Sequence, residues 1–263
     1  MEPEIIYGTR YDTPKIIEAR KQSISIPETI NIKTPKRITL RNTLANEFYG
    51  EGASIKEKRL DLVLGPPASG KSSKLVDPLA KKYGSIIIDS DKIKELLPEY
   101  INGIGSRALH KESSLIADEM ILEKALINND NIVSPRLGKN SKTMETLIDK
   151  FAKSGYKVHL HYIDLPIDKA VKRAITRFNE TGRFIDPYFI LNDVDRKTKV
   201  TYNEVKNMEG VISYEAYSND VPKGQEPTLI ERVTTNVNTT GAKRLQRQFS
   251  NKDIKQISKE EVS

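Results

Sequence analysis

The sequence contains no cysteine, so neither a disulfide bond nor thiolate chemistry is available to it. Its longest apolar runs extend over only a few residues, which excludes a membrane-spanning helix. The opening Met1-Glu2-Pro3-Glu4 is acidic and lacks the apolar core of a signal peptide. These absences predict a cytoplasmic protein that has no membrane partner.

The net charge of +7 is unevenly distributed along the 263 residues. Residues 60–240 carry 26 basic and 25 acidic side chains, so the excess of positive charge lies at the two ends of the chain. Proteins that bind nucleic acid usually concentrate basic residues in one patch or stripe. We therefore expect no nucleic-acid partner, and we interpret the basic ends as solvated segments.

Three segments of the chain differ in pattern. Residues 1–58 contain four prolines and no long-range periodicity, with a short helix predicted around residues 39–48. This N-terminal extension is compatible with a linker, an arm that packs on the core, or a docking site for a partner. Residues 59–235 alternate strands with helices and form the predicted main domain. Residues 236–263 are a polar, basic tail, which we expect to be disordered or loosely helical.

Five apolar or β-branched segments are separated by helical patterns. The predicted strands are residues 60–64, 85–88, 131–133, 156–163 and 210–217. Apolar residues at helical spacing predict helices at about residues 71–83, 106–127, 141–154 and 167–178. Alternating strands and helices favour an α/β fold, with a five-stranded, mostly parallel sheet sandwiched by helices.

A phosphate-binding motif follows the first predicted strand. The pattern G-x-x-x-x-G-K-[ST] is matched by Gly65, Pro66, Pro67, Ala68, Ser69, Gly70, Lys71 and Ser72, and Ser73 follows. Glycines let backbone N–H groups point at phosphate oxygens, and a helix N-terminus adds positive potential. Lys71 is expected to reach the β- and γ-phosphates, and Ser72 to ligate Mg²⁺. The loop therefore predicts ATP and Mg²⁺ as ligands.

Two carboxylates, Asp89 and Asp91, follow the second predicted strand. Ligands of parallel sheets lie at the carboxyl ends of the strands, so both side chains are expected near the phosphate loop. A carboxylate there can accept a proton from a substrate hydroxyl or hold a Mg²⁺-bound water. The alternative role is the N-cap of the helix that begins near Lys92. We predict a catalytic role for Asp91 and a substrate-binding role for Asp89.

Arginines follow the fourth predicted strand. Arg173 and Arg177 are four residues apart on a predicted helix and therefore share one face. Residues 181–183, Thr-Gly-Arg, end this helix and present Arg183 from a loop. Planar guanidinium groups can stabilise the charge that develops during phosphoryl transfer. The alternative is surface ion pairing, for example with Asp168.

Together these motifs resemble the zeta toxin family of P-loop kinases over about residues 59–210. The shared features are the phosphate loop, Ile-Asp-Ser-Asp at residues 88–91 and Leu-Leu-Pro-Glu-Tyr at residues 96–100. The resemblance implies transfer of a phosphoryl group from ATP to a sugar hydroxyl of UDP-N-acetylglucosamine. It implies Asp91 as general base, Glu119 as a substrate-binding residue, and Arg177 and Arg183 as catalytic arginines. It also implies toxicity, restrained by an antitoxin or by an inhibitory segment.

The sequence departs from the family after the third predicted strand. The family carries an acidic residue there, followed by Gly-Thr, whereas this chain has Ser134 or Pro135 at the acidic position and Leu137 at the threonine. The difference concerns the acceptor and the way in which Mg²⁺ and substrate are held. Arg136, in the same segment, would suit a phosphate-bearing substrate, and an ordinary loop residue is the alternative.

Three functions compete at this point. The first is a zeta-toxin-type kinase that acts on a UDP-amino sugar or on another nucleotide or sugar. The second is a kinase that acts on nucleic-acid ends or on another small molecule. The third is a non-catalytic ATP-binding module that mediates interactions within a larger protein.

Overall fold

A seven-stranded sheet forms the centre of the protein, with the spatial order β2-β3-β1-β4-β5-β6-β7. The structure is a computed structural model that describes residues 8–26, 31–50, 55–194, 196–236 and 244–249. Neighbouring strands among β1 to β5 pair in parallel, and β6 and β7 pair antiparallel. The strands are β1 Arg59–Leu64, β2 Ile86–Ile87, β3 Ile132–Arg136, β4 Lys157–Asp164, β5 Val211–Ser218, β6 Thr228–Asn236 and β7 Arg244–Phe249.

Helices cover the sheet and connect its parallel strands. The α-helices within the described residues are α1 Pro14–Ser25, α2 Pro35–Gly50, α3 Asp77–Tyr83, α4 Ser90–Glu95, α5 Ser106–Ser114, α6 Leu122–Ile127, α7 Ser141–Lys153, α8 Ile167–Thr181 and α9 Lys197–Val205. Three π-helical segments adjoin them: Ser72–Val76, Leu115–Ile121 and Phe189–Val194. None of the described helices is long and apolar enough to cross a bilayer.

The α/β fold class and the five predicted parallel strands are confirmed, but the sheet is larger than predicted. Two strands continue it as an antiparallel hairpin, β6 pairing with β5 and β7 with β6. The structure thus corrects the expectation that residues 236–263 are disordered or loosely helical, because Asn236 and Arg244–Phe249 make ladder pairs. The rest of that predicted tail, residues 237–243 and 250–263, lies outside the described residues.

Strand β1 is buried on both faces from Leu60 to Leu64, and Asp61 is the one polar residue in that range. Leu60, Leu62 and Leu64 are fully buried and belong to one large core cluster, which also contains Ile148 of α7 and Tyr202 of α9. The side chain of Val63 lies on the opposite face, in a second apolar cluster that includes residues of the helix after the phosphate loop. The strand that leads into the phosphate loop is therefore held rigidly.

The N-terminal extension is an arm that packs on the core, one of the three alternatives left open by the sequence. Leu44 and Ala45 of α2 join the large core cluster, and Ile16 and Ala19 of α1 are buried against the segment that contains α8. The predicted short helix at residues 39–48 lies within α2. Residues 1–7, 27–30 and 51–54 of the extension lie outside the described part of the chain.

His159 and His161 of β4 take part in a buried ionic network. His161 Nε2 lies 2.7 Å from Asp61 Oδ1, and its Nδ1 lies 2.8 Å from Glu215 Oε1. Arg59 donates two hydrogen bonds of 2.6 Å to Asp61, and His159 Nε2 lies 2.8 Å from Arg59 Nη1. Burial lowers the pKa of His161, but its hydrogen bonds to Asp61 and Glu215 outweigh burial and raise it.

We expect the His161→Asn variant to lose about 3 kcal/mol of the free energy of unfolding, because two buried carboxylates lose their common partner. The raised pKa makes this loss largest below about pH 6.5, the ordinary histidine pKa. The loss shrinks as the pH rises through the raised pKa of the folded protein. Urea unfolding at pH 5, 7 and 9 measures this dependence.

His159→Asn is the matched control, because burial, followed by the charge of Arg59, lowers the pKa of His159 to about 4. At low pH, His159 gains a proton when the parent protein unfolds, which lowers the free energy of unfolding. The contribution of His159 to the free energy of unfolding should therefore grow as the pH rises from about 4 to about 6.5. The two variants should therefore show opposite pH dependences. Parallel dependences would show that His161 is not protonated in the folded state.

Candidate active site

The phosphate loop connects the buried end of β1 to the helical turn that starts at Ser72. Gly65 passes so close to β4 that an added Cβ would lie 2.6 Å from Ile163 Cγ2 and 2.8 Å from the Ile163 carbonyl oxygen. Gly70 has φ +87°, in the left-handed region that favours glycine. Both motif glycines are therefore required by the backbone of the loop.

The Lys71 ammonium lies over the loop itself. Its Nζ donates hydrogen bonds of 2.7 Å and 2.8 Å to the carbonyl oxygens of Gly65 and Pro66. Burial lowers the pKa of Lys71 to about 8, while the carboxylates of Asp91 and Asp89 act in the opposite direction. The predicted loop lysine therefore lies within electrostatic range of both carboxylates of the predicted acidic pair.

Asn219 supports the phosphate loop from behind, a role that the sequence analysis missed. Its buried Nδ2 donates a hydrogen bond of 2.7 Å to the carbonyl oxygen of Ser69. The backbone carbonyl oxygen of Asn219 accepts a 2.9 Å hydrogen bond from Arg173 Nη2, so Arg173 of α8 holds this segment. Asn219 directly follows β5, and the rule that sites lie at the carboxyl ends of strands offered the signal for it.

Asp89 and Asp91 occupy the start of α4, immediately after β2. Asp89 is the N-cap, and its Oδ1 accepts a 2.9 Å hydrogen bond from the backbone N–H of Asp91. The Asp91 carboxylate accepts a 2.9 Å hydrogen bond from Lys94 Nζ. Burial acts to raise the pKa of Asp91, but Lys94, with Arg183 and Lys71, outweighs burial and lowers it. Lys94 was not predicted as a site residue.

The predicted arginines lie together opposite Asp91. Arg177 is on α8, and its buried Nε has no hydrogen-bond partner within the described residues. Burial and the neighbouring Arg183 guanidinium lower the pKa of Arg177, against the charges of Tyr100 and Asp91. Arg183 donates to Glu95 at 2.9 Å at the exposed rim of the cleft. Two guanidinium groups thus lie near each other and near the carboxylate of Asp91.

Arg136 ends β3 beside the phosphate loop, because its position pairs with Leu64 of β1. Its Nε donates a 2.9 Å hydrogen bond to Ser134 Oγ, and its Nη2 donates a 2.5 Å hydrogen bond to Asp118 Oδ1. The Ser134 hydroxyl in turn donates to the carbonyl oxygen of Ile88, at the end of β2. The position at which the family carries a glutamate is therefore part of a network centred on an arginine.

Glu119, predicted to bind the substrate, is exposed on the π-helical segment Leu115–Ile121. Among the described residues, no hydrogen bond links it to the other predicted site residues. The preceding carboxylate, Asp118, is the one that reaches Arg136. The structure thus brings Asp118 to the end of β3 and leaves Glu119 outside this network.

The residues around the loop fit a Mg²⁺ ion bound mainly by phosphates and water. Mg²⁺ usually takes one or two protein oxygens and keeps several waters. The exposed Ser72 begins the helical turn after Lys71, and Asp89 caps the helix after the next strand. No cluster of three or more metal-ligating side chains occurs in the part of the chain that the structure describes. This sparse set of oxygens matches what Mg²⁺ requires beside a nucleotide.

The fold and the phosphate loop define a P-loop kinase. The family model described as Zeta toxin matches residues 48–217, and the chain belongs to this family. Kinase activity that depends on ATP is thus the general function of the fold.

Two solved structures share this fold at low sequence identity. One is described as the PezAT chromosomal toxin–antitoxin system of Streptococcus pneumoniae, with 16% identity, a TM-score of 0.60, and coverage of 81% of this chain and 86% of that chain. The other is the AvrRxo1-ORF1:-ORF2 complex with ATP, with 16% identity, a TM-score of 0.62, and coverage of 95% of this chain and 79% of that chain. A comparison with curated proteins finds no match.

Proposed function

We propose that the protein transfers the γ-phosphoryl group of ATP to a hydroxyl of a nucleotide-sugar, UDP-N-acetylglucosamine or a related compound. One observation carries the proposal: Asp91 acts on the pKa values of Lys71 and Arg177, and the charges of Lys71 and Arg183 lower the pKa of Asp91, so the four groups lie close together at the carboxyl end of the sheet. A cation in the phosphate loop, a carboxylate and two guanidinium groups are the set that phosphoryl transfer to a hydroxyl requires.

The donor side consists of residues 65–73. Backbone N–H groups of the loop and the following helical turn would hold the phosphates of ATP, and the Lys71 ammonium would leave the loop carbonyls for phosphate oxygens. Ser72 would hold Mg²⁺, which supplies charge neutralisation for the β- and γ-phosphates when it is bound. Asn219 keeps the loop backbone in shape through Ser69.

Asp91 is the proposed general base. Its lowered pKa keeps the carboxylate ionised at neutral pH, and Lys94 orients it through a direct hydrogen bond. An ionised carboxylate can take the proton of an acceptor hydroxyl as the oxygen attacks phosphorus. Asp89 is proposed to contact the substrate with the carboxylate oxygen that does not cap α4.

Arg177 and Arg183 are proposed to stabilise the charge of the transferring phosphoryl group. Bringing two guanidinium groups together costs electrostatic energy, and a group with several negative oxygens between them offsets that cost. The buried Arg177 Nε lacks a partner among the described residues, so it is available to such an anion. Arg183 lies at the rim and can follow the substrate inward.

The acceptor side is proposed to lie between α4, the end of β3 and the segment Leu115–Ile121. Arg136 is fixed by Ser134 and Asp118, and it would direct its remaining N–H groups to a phosphate of the nucleotide-sugar. Glu119, which is exposed next to this network, is proposed to contact the sugar. A cationic residue at this position supports an acceptor that already carries phosphate.

Incubation with ATP, Mg²⁺ and a panel of UDP-sugars, nucleotides and free sugars, followed by phosphorus NMR, tests the proposal. We expect a new phosphomonoester signal and ADP with at least one UDP-sugar, and neither with the Lys71→Met variant. Tight binding of ATP without a phosphorylated product from any compound of the panel would contradict the proposed activity.

A protein partner that restrains the enzyme is part of the proposal. The PezAT structure is described as a toxin–antitoxin system, which supports an antitoxin for this family member. Expression of the parent protein in a bacterium with a peptidoglycan wall would then arrest growth, and a cognate antitoxin would relieve the arrest. An inhibitory segment within residues 1–58 would act in the same way.

A further inference from the structure

The N-terminal helix α1 contacts helix α8 and the loop after it, which carry Arg177 and Arg183. Its apolar side chains Ile16 and Ala19 pack with Phe178, which follows Arg177 on α8, and with Phe184, which follows Arg183 in the loop. Helix α1 precedes residues 48–217, the range matched by the zeta toxin family model. A segment outside the family match thus lies directly behind the proposed phosphoryl-binding arginines.

Arg20 of α1 is the polar centre of this contact and is 2% exposed. Its Nη1 and Nη2 donate hydrogen bonds of 2.8 Å to the two carboxylate oxygens of Asp12, within the same segment. Its Nε and Nη2 donate hydrogen bonds of 2.8 Å to the two carboxylate oxygens of Asp186. The guanidinium therefore bridges the N-terminal arm and the loop after α8 with paired hydrogen bonds on both sides.

Asp186 links Arg20 to the loop that carries Arg183. The carboxylate of Asp186 also accepts a 3.0 Å hydrogen bond from the backbone N–H of Tyr188, so it fixes the loop from within. Between Arg183 and Asp186, the backbone N–H of Phe184 donates a 2.7 Å hydrogen bond to the Asn102 carbonyl oxygen. The loop is thus anchored at two points, by Asn102 through Phe184 and by Arg20 through Asp186.

We propose that Arg20 is a positioning residue for phosphoryl transfer, which holds the Arg183 loop in its working position through Asp186. The proposal rests on the proposed function for its kinetic part. A buried arginine is a costly way to attach a helix, since its desolvation must be offset by well-formed hydrogen bonds. Paired hydrogen bonds to two carboxylates fix the direction of the guanidinium as well as its place, which apolar packing alone would not do.

Displacement of a catalytic group by about 1 Å can cost on the order of 100-fold in rate. We therefore expect Arg20→Gln and Asp186→Asn each to lower kcat by about 10- to 100-fold, while the Kd for ATP stays within about 2-fold of the parent value. Arg20→Lys keeps the charge but loses the paired geometry, so it should recover only part of the rate.

Arg10→Gln is the matched control. Arg10 also belongs to the N-terminal arm and pairs with Asp168 at 2.6 Å, but both side chains are largely exposed and Asp168 lies in the first turn of α8, at the far end from the Arg183 loop. We expect kcat to change by less than about 2-fold in this variant, because an exposed ion pair contributes little. An equal loss in Arg10→Gln and Arg20→Gln would overturn the proposal.

Hydrogen exchange measured by mass spectrometry supplies a readout that needs no kinase activity. We expect the amides of residues 182–190 to exchange faster in Arg20→Gln and Asp186→Asn than in the parent or in Arg10→Gln. Unchanged exchange in this loop would overturn the proposed role of Arg20, whether or not the parent protein is an active kinase. An inactive parent protein would instead contradict the proposed function. General loss of protection together with loss of ATP binding would also overturn it, since Arg20 would then serve folding alone.

Discussion

The Asp91→Asn variant is expected to lose kinase activity by a factor on the order of 10³ while it still binds ATP. Transfer of a proton to a placed carboxylate contributes about 10²- to 10⁴-fold to rates of this kind. The asparagine oxygen can still accept the hydrogen bond from Lys94, so the local structure at the start of α4 should survive. Steady-state kinetics with ATP and the acceptor found by NMR, together with nucleotide titration, measure the two quantities.

Asp77→Asn is the control for this substitution. Asp77 is likewise a carboxylate in the first turn of a helix, but it lies on α3 and outside the proposed acceptor side. Its variant should keep kcat within about 2-fold, as surface substitutions usually do. A fully active Asp91→Asn variant would rule out a base at this position. An Asp91→Asn variant that equals the parent protein in every cellular effect would favour the non-catalytic module over both kinase hypotheses.

The Arg177→Gln variant is expected to show the larger loss, on the order of 10³- to 10⁵-fold in kcat, with little change in the Kd for ATP. An arginine that stabilises the transferring phosphoryl group in other enzymes of this chemistry contributes a factor of about that size. The Arg177 Nε is buried, whereas the Arg183 side chain is 36% exposed, so the Arg177 charge acts in a less polar environment than that of Arg183. Single-turnover kinetics would locate the loss in the chemical step.

Lys172→Gln provides the comparison, because Lys172 is an exposed cation on the same helix. It should retain activity within about 2-fold of the parent. We expect the loss of kcat in the double variant Arg177→Gln/Arg183→Gln to be smaller than the product of the two single losses, because the effects of residues that act on one group are not additive. A loss in Arg177→Gln that appears only as weaker ATP binding would contradict its proposed role in the transition state.

Much of the fold was predictable because its signals are local. Apolar segments of three to eight residues were recognised at every parallel strand of the sheet, and helices with a periodic apolar face were recognised between them. The antiparallel hairpin was missed, although Thr228–Asn236 is rich in β-branched residues. Its pairing depends on β5 and on a partner strand in a polar segment, and no local pattern of Arg244–Phe249 distinguishes it from a solvated tail.

The candidate site was predictable where strand ends determine it. Lys71 lies in the loop after β1 and Asp91 in the first turn of the helix after β2, and parallel strands bring their carboxyl ends to one edge. Helical spacing does not predict which acidic side chain reaches Arg136, because the segment Leu115–Ile121 is π-helical, with hydrogen bonds from i to i+5, and its faces differ from those of an α-helix. The neighbouring Asp118 therefore reaches Arg136.

By itself, the sequence determined a phosphate loop between a strand and a helix, and with it the donor half of a phosphotransferase. Backbone conformation at such a loop depends on glycines and on the few residues around it, which is why the motif can be recognised alone. Only the tertiary structure decided that Asn219 supports the loop, that Arg136 is bound by Asp118, and that Arg20 lies behind Arg183. These contacts join residues as far apart as 166 positions in the chain, and chain crossovers rather than local spacing bring them together.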